Sequence, residues 1–330
     1  MQHQPFRVLF AIAFGAALAA QDAAPAALRN DVLAKLSWRA LGPVNFGGRV
    51  VDVAAHPTKA GEFWVAAATG GLFKTTNGGV TFTPVFDKQP VIAIGDIDVS
   101  PVNPDVVWVG TGEANNLRSA YAGNGVYRTT DGGKTWTHCG LVGTDHIARV
   151  VAHPKDADVA FVAAMGPLYT RGSERGVFKT TDGGKTWKKT LFVDEDTGFC
   201  DLAIDPQNPD VLFAAGYECR RRAWHFYAGG DGGGIWRSQD GGETWTKLRG
   251  GLPGGTLGRI GLAVFPADPR IVYAFIENRN PPKEAEAPER TARTEPAAME
   301  EAREASATRE GDAREAAPPR ATGVNETREA

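Results

Sequence analysis

The sequence predicts an all-β fold, a β-propeller of four-stranded antiparallel blades, on three observations. An octapeptide of pattern [ST]-x-[DN]-G-G-x-T-[WF] occurs four times, at 75–82, 129–136, 180–187 and 238–245. The third residues of these octapeptides are separated by 54, 51 and 58 residues, and a near-constant interval of this length is typical of repeat architectures. Each interval contains four short strand-like runs, as a propeller blade does.

The octapeptide predicts a hairpin turn between the third and fourth strands of a blade. Its glycines supply positive φ angles, and its aspartate and leading hydroxyl can accept backbone N–H bonds within the turn. The closing aromatic residue is a large apolar anchor that can pack the hairpin onto its neighbour. We therefore interpret the residues at the third and eighth positions of the octapeptide as structural rather than catalytic: Asn77, Asp131, Trp136, Asp182, Trp187, Asp240 and Trp245.

The number of strands predicts four complete blades and a partial fifth. Five first strands end in a proline turn, and they read VVDVAAHP, IGDIDVSP, ARVVAHP, CDLAIDP and IGLAVFP. Each of the five is followed by a second strand, but the sequence has only four octapeptides. The fifth blade therefore has only its first two strands, within 260–277. The run 37–41 resembles a fourth strand and predicts an N-terminal closing strand. Either the chain beyond 277 is a long insertion, or the reading frame is truncated.

The octapeptides are identified as Asp boxes, also called BNR repeats. The resemblance covers roughly residues 36–277 and extends to the propellers of sortilin (VPS10), xyloglucanase-type glycoside hydrolases and sialidases. The runs GGRVVDVAAHP, VVWVGTGEANN, RGVFKTTDGGKTW and LGRIGLAVFP are most similar to large secreted bacterial proteins with a sortilin-like N-terminal propeller. The resemblance implies that the Asp boxes are structural, and the greater length of the related proteins favours the truncated reading.

Composition divides the chain into four segments. Residues 1–20 resemble a signal peptide, with Arg7 before an apolar run and an A-x-A site at 17–19, which predicts export to the periplasm or the extracellular space. Residues 21–35 are a spacer, 36–277 the partial propeller, and 278–330 a low-complexity tail that we expect to be disordered. No membrane span is expected after cleavage of the signal peptide.

Charge and cysteine content narrow the function. A formal net charge of −3 gives no indication of nucleic-acid binding. Three cysteines cannot form a complete disulfide framework, although one pair is left open. No metal-binding motif is present, so we expect neither a metal site nor a cofactor. Oligomeric state is not indicated.

Strand alternation places the octapeptide turns on one face of the propeller and the longer loops on the other. We call this second face the top face, and it carries the candidate ligand-binding residues because loops on a rigid scaffold usually bind ligands. Among its loops, the segment 218–227 is read as the longest. Arginine, asparagine and aromatic side chains suit a peptide or carbohydrate ligand. The candidates are Arg49, Glu113, Asn115, Asn116, Arg118, Tyr121, Arg175, Arg221, Arg222, Trp224 and Tyr227. Packing across the blade tops is the alternative role of these residues.

Two functions remain, and binding is favoured over catalysis. The xyloglucanase resemblance implies a catalytic aspartate in an early loop, but that loop here is 68–71, Ala-Thr-Gly-Gly, and has no acid. Glu113 with Asp145 or Glu195 could form a carboxylate pair. Three consecutive arginines at 220–222 do not imitate a sialidase clamp drawn from separate blades. The sequence thus predicts a ligand-binding or scaffold module without assigned catalytic residues, with a glycoside hydrolase as the alternative.

Overall fold

The computed structural model describes residues 48–116 and 119–280, which form nineteen β-strands and one short 3₁₀ helix, η1 (Val142–Thr144). The expected signal peptide, spacer and closing strand lie outside the described residues, as does the tail beyond residue 280. No helix in the described ranges is long and apolar enough to cross a membrane.

The strands group into five successive sheets. The first holds β1 (Val50–Ala55), β2 (Phe63–Ala67), β3 (Gly71–Thr75) and β4 (Thr83–Pro84). The second holds β5 (Ile94–Val99), β6 (Val107–Thr111), β7 (Val126–Thr129) and β8 (Thr137–His138). The third holds β9 (Ile147–Ala152), β10 (Ala160–Ala164), β11 (Gly176–Thr180) and β12 (Lys188–Leu191). The fourth holds β13 (Thr197–Ile204), β14 (Leu212–Arg221), β15 (Phe226–Ala228), β16 (Gly234–Ser238) and β17 (Thr246–Lys247), and the fifth holds β18 (Leu257–Val264) and β19 (Val272–Asn278).

All neighbouring strands run antiparallel, and four sheets follow the order first, second, third, fourth strand. In sheet four, β15 pairs with the extended end of β14 outside this path. Within the described residues the all-β prediction is therefore confirmed, with four four-stranded blades and a two-stranded fifth sheet. The first strands β1, β5, β9, β13 and β18 lie against one another in sequence order, so they form the inner wall of the propeller.

The hydrophobic core lies between the blades rather than within any one of them. Trp64 of blade one packs with Ile97 and Tyr127 of blade two, and the same kind of layer recurs at each later junction. Each blade therefore buries its apolar faces only against neighbours, as repeat architectures do. The three cysteines, Cys139, Cys200 and Cys219, are free thiols buried in these layers.

The octapeptide turns satisfy their own polar groups. In the turn of blade three, Asp182 Oδ1 accepts the backbone N–H groups of Lys185 and Thr186 at 2.9 Å each, and Oδ2 accepts the Thr186 hydroxyl at 2.6 Å. These hydrogen bonds lower the pKa of Asp182 to about 2, the bond from the Thr186 hydroxyl most of all. A carboxylate so engaged inside its own turn has no capacity left for catalysis.

The closing tryptophans join each turn to the preceding blade. Trp136 Nε1 donates to Val85 O at 2.8 Å, and Trp187 Nε1 donates to Cys139 O at 2.7 Å. Trp245 Nε1 donates to the Thr190 hydroxyl at 3.2 Å. In blade one Asn77 replaces the aspartate, and its Oδ1 still accepts the Thr81 N–H at 3.0 Å.

Candidate ligand-binding face

An inner ring of charged side chains lines the wall of the propeller. Five residues before each proline turn, the first strands carry Asp52, Asp96, Arg149, Asp201 and Gly261. The aspartates accept backbone N–H groups from the next blade, with 2.7 Å from Val150 N to Asp96 Oδ2 and 2.7 Å from Leu262 N to Asp201 Oδ2. A weaker bond of 3.3 Å joins Ile97 N to Asp52 Oδ2. These carboxylates therefore tie consecutive first strands together.

Arg149 bridges the ring at its centre. Its guanidinium donates to Asp96 Oδ1 at 3.2 Å and to Asp201 Oδ1 at 2.8 Å, joining the blades on both sides. The negative charge of Asp96, supported by that of Asp201, raises the pKa of Arg149 above its ordinary value despite burial. The three side chains thus form one ion-pair network in which two carboxylates share a single guanidinium.

A cavity of about 530 Å³ opens above this ring and is bordered by Asn115, Arg259, Phe275 and Glu277. The carboxylates along it are engaged: Asp96 and Asp201 bond to Arg149, while Glu277 bonds to Arg279 at 2.9 Å and accepts the Arg259 N–H at 3.2 Å. Within the described residues, no group of three or more His, Cys, Asp or Glu is placed to hold a metal ion.

Glu113 lies beneath the surface of the top face, with a side chain that is 0 % exposed. Its Oε1 accepts Arg49 Nε at 3.0 Å and Asn115 Nδ2 at 3.4 Å, and its backbone oxygen contacts His146 Nδ1 at 2.8 Å. Burial lowers the pKa of His146, so its ring is neutral near pH 7. The structure thus brings Arg49, Glu113 and Asn115 together in one hydrogen-bonded cluster, in which Glu113 is buried while Arg49 and Asn115 are exposed.

The loop that follows β6 crosses toward blade four and is held there. Arg221 Nε donates to Asn116 O at 2.8 Å, and the buried Asn116 side chain lies 3.5 Å from Cys219 Sγ. Arg259 also donates to Ala114 O at 2.9 Å. Arg221 and Asn116 therefore serve to fix the loop, and the packing role left open by the sequence applies to both.

Arg175 is an interior residue with 1 % exposure. It donates to Met165 O at 2.6 Å, Pro167 O at 2.5 Å and Thr170 O at 3.2 Å, and so supports the loop after β10. A buried guanidinium whose hydrogen bonds go to backbone carbonyls and to the Cys219 side chain has no surface to offer a ligand. The position of Arg175 in the sequence, on a predicted top-face loop, does not distinguish a residue that supports the loop from one that binds a ligand.

Segment 218–227 is not a loop, and that prediction is wrong. β14 runs through Arg221, and residues 219–221 pair with 226–228 in β15, which makes a hairpin arm with its tip at 222–225. The available signal was the alternation of apolar and polar residues from Tyr217 to Arg220, followed by the aromatic pair Phe226 and Tyr227, which favours a strand. Three candidates lie at or beside the tip and are exposed: Arg222, Trp224 at 82 % and Tyr227 at 50 %.

The remaining candidates lie apart from the arm tip. Tyr121 is exposed on the loop after β6, and its backbone oxygen accepts the Glu113 N–H at 3.0 Å. Arg118 lies outside the described residues. Of the two acids considered as partners for Glu113, Glu195 is exposed beside Arg171 at 3.7 Å, and Asp145 is half-buried with φ of 52°. Because Glu113 is wholly buried, neither pairing forms an exposed carboxylate pair.

Comparison with known proteins agrees with this architecture. The family model Sortilin-Vps10 (sortilin, neurotensin receptor 3) matches residues 124–279. Xyloglucanase Xgh74A of Acetivibrio thermocellus is 29% identical over 210 residues, covering 54% of this chain and 22% of that protein. A xyloglucanase of a Paenibacillus species is 25% identical over 270 residues, covering 74% of this chain and 25% of that protein. The chain therefore spans a quarter or less of the length of these relatives.

Among solved structures, the GH74 xyloglucanase from Xanthomonas campestris matches with a TM-score of 0.50 and 17% identity, covering 68% of this chain and 33% of that one. At this identity the match supports the fold alone. Successive antiparallel blades, octapeptide turns and these similarities together show that the chain is a β-propeller similar to those of sortilin and the xyloglucanases.

Proposed function

We propose that this protein binds a polysaccharide on its top face without hydrolysing it. Two features support a carbohydrate ligand. The relatives named above act as xyloglucanases, which makes xyloglucan the first polymer to test. The hairpin arm also exposes Trp224 and Tyr227, and aromatic rings of this kind stack on sugar faces.

The observation that carries the proposal is the state of the carboxylates. Glycoside hydrolysis needs two carboxyl groups roughly 5–10 Å apart that both reach the sugar and water. Glu113 of the top face is buried against Arg49, and on the inner wall Asp96 and Asp201 are bonded to Arg149. Glu277 bonds to Arg279 and to the Arg259 backbone. These acids stabilise the scaffold, which favours binding over catalysis.

Binding and hydrolysis are separable in one experiment on the full-length chain. Affinity electrophoresis in gels containing xyloglucan measures binding, and release of reducing ends from the same polymer measures hydrolysis. We expect retarded migration and no release of reducing ends. Trp224→Ala should weaken binding at least tenfold, because burying an aromatic ring under a sugar contributes about 1.5–3 kcal/mol.

Tyr273→Ala is the matched control, since Tyr273 is a 62 % exposed aromatic residue on β19, away from the arm. It should leave migration unchanged. Release of reducing ends by the wild-type chain would refute binding without hydrolysis. If neither xyloglucan nor other polysaccharides retard the protein, while a peptide array captures it, the ligand class is wrong. The proposal assumes export, which residues 1–20 predict.

A further inference from the structure

The hairpin arm is an addition to the repeat rather than part of it. The second strands of blades one to three, β2, β6 and β10, are five residues long, whereas β14 is ten. The extra length pairs with β15 in the register Cys219–Ala228, Arg220–Tyr227 and Arg221–Phe226. A propeller blade needs no such extension to bury its core, so the arm requires another explanation.

The arm is held firmly at its base. The Arg221 N–H donates to Leu168 O of blade three at 3.0 Å, and Arg221 Nε donates to Asn116 O of blade two at 2.8 Å. The Arg221 guanidinium lies 4.5 Å from the centre of the Phe226 ring. At the tip, the Arg222 N–H donates to His225 O at 2.7 Å and closes a four-residue turn. The tip side chains are therefore presented on a rigid support, which lowers the entropic cost of binding.

Aromatic rings and cations are interleaved along the tip. Tyr227 has the His225 ring at 4.4 Å and the Arg220 guanidinium at 5.1 Å. Trp224 is 82 % exposed and makes no ring contact among the described residues. The Trp224 indole is therefore a large aromatic surface that a ligand at the tip can cover.

Positive charge at the tip lacks compensation. Arg220 lies 3.5 Å from Asp196, but that acid is shared with Arg171 at 3.0 Å. Arg222 has no acidic partner within the described ranges and its side chain faces solvent. Arg222 and Trp224 belong to the same four-residue turn, and the five donors of the Arg222 guanidinium match a carboxylate in bidentate geometry.

We propose that Arg222, Trp224 and Tyr227 form a subsite for a uronic acid residue, so that the arm selects an acidic polysaccharide. Trp224 and Tyr227 contact the sugar ring, and Arg222 pairs with the sugar carboxylate. The inference rests on the proposed function, because it assumes that the top face binds polysaccharide, and it adds the charge class of the sugar.

The test compares polygalacturonate with the same polymer after chemical reduction of its carboxyl groups, using the full-length chain and isothermal titration at low and moderate salt. We expect polygalacturonate to bind about tenfold tighter than its reduced form at low salt, as one charge-assisted bidentate contact allows. The advantage should shrink as salt rises. Arg222→Gln should abolish it while leaving affinity for the reduced polymer unchanged.

Arg249→Gln is the matched control, because Arg249 is also exposed and without an ion-pair partner among the described residues. It should preserve the preference, and thermal melting should show that both variants fold. Equal affinity for the two polymers, or an unchanged preference in Arg222→Gln, would overturn the uronate subsite. Equally tight binding of polyglutamate would also overturn it, by showing a general anion surface. If neither xyloglucan nor either galacturonan form binds, the proposed function itself fails.

Discussion

Replacing Arg149 by methionine should be among the most damaging single changes to the inner wall. The substitution keeps most of the side-chain volume but removes the guanidinium that joins Asp96 and Asp201. Both aspartates are buried, with side-chain exposures of 5 % and 8 %. Each would retain a backbone N–H donor, from Val150 and Leu262, but would lose its counter-charge.

The expected loss in the free energy of unfolding follows from removing the cation of a buried ion-pair network while its carboxylates stay in place. Removing one partner of a buried ion pair costs roughly 3–5 kcal/mol because the other charge stays buried and unpaired. The Arg149 side chain is itself 38 % exposed, so solvent screens part of the interaction. We therefore expect a loss of about 3 kcal/mol in the free energy of unfolding, the lower end of that range.

The pH dependence of this loss has a defined sign. Burial raises the pKa of Asp96, and the charge of Arg149 opposes that rise. Without Arg149, the folded-state pKa of Asp96 moves further above its unfolded value. A carboxyl group with a raised folded pKa favours the folded state at low pH and loses that contribution as pH rises. The deficit of Arg149→Met relative to wild type should therefore be larger at pH 8 than at pH 5.

Urea unfolding followed by tryptophan fluorescence at both pH values measures the deficit. Arg270→Met is the control, because Arg270 is 89 % exposed and pairs only with Asp268, so its loss should be undetectable. A deficit below about 1 kcal/mol at pH 8 would mean that the ring contributes no more than a surface ion pair. A deficit that grows on acidification would refute the assignment of Asp96 as the charge left unpaired.

Two further predictions concern the scaffold. Burial raises the pKa of Asp98 to about 7, so the free energy of unfolding of the wild type should fall as pH rises from about 4 toward 8. Asp98→Asn should reduce this pH dependence, measured as urea midpoints at several pH values. An unchanged pH dependence would exclude Asp98 as its source. Gly133 and Gly79 occupy equivalent turn positions with φ of +91° and +86°, but a Cβ on Gly133 would overlap the Trp64 ring, whereas one on Gly79 comes no closer than 3.4 Å to the Phe63 ring. Gly133→Ala should therefore lower the melting temperature clearly more than Gly79→Ala, and equal shifts would show that turn strain alone decides the cost.

Local chemistry explains why the fold was predictable. An octapeptide such as 180–187 specifies its turn through neighbouring residues, since Thr180, Asp182 and Thr186 bond to one another and to their own backbone. Repetition of that turn set the number and order of blades. The packing of Trp187 onto the preceding blade also follows from its size and position.

The candidate site was less predictable because its roles depend on residues far away in sequence. Arg49 and Glu113 are 64 residues apart, and the packing of blade one against blade two brings them together. The sequence of the hairpin arm contains alternating apolar and polar residues, but its three charged arginines and its place between two strands favour a loop. The sequence does contain a pattern for the inner ring, because an acidic residue stands five residues before the proline turn in β1, β5 and β13. The pattern alone does not say whether these acids bind a ligand or the backbone, since that depends on their burial.

The bonds of the inner ring also constrain how this propeller could gain or lose blades. Each ring aspartate accepts an N–H from the blade that follows, so the linkage has a direction. Tandem duplication of blade two would place a new aspartate beside existing amides, and the linkage would continue. Duplication of blade three would set two copies of Arg149 side by side with too few carboxylates between them. The order of charges along the wall therefore links blades two, three and four, and a blade-swapping experiment should move these three blades as a unit.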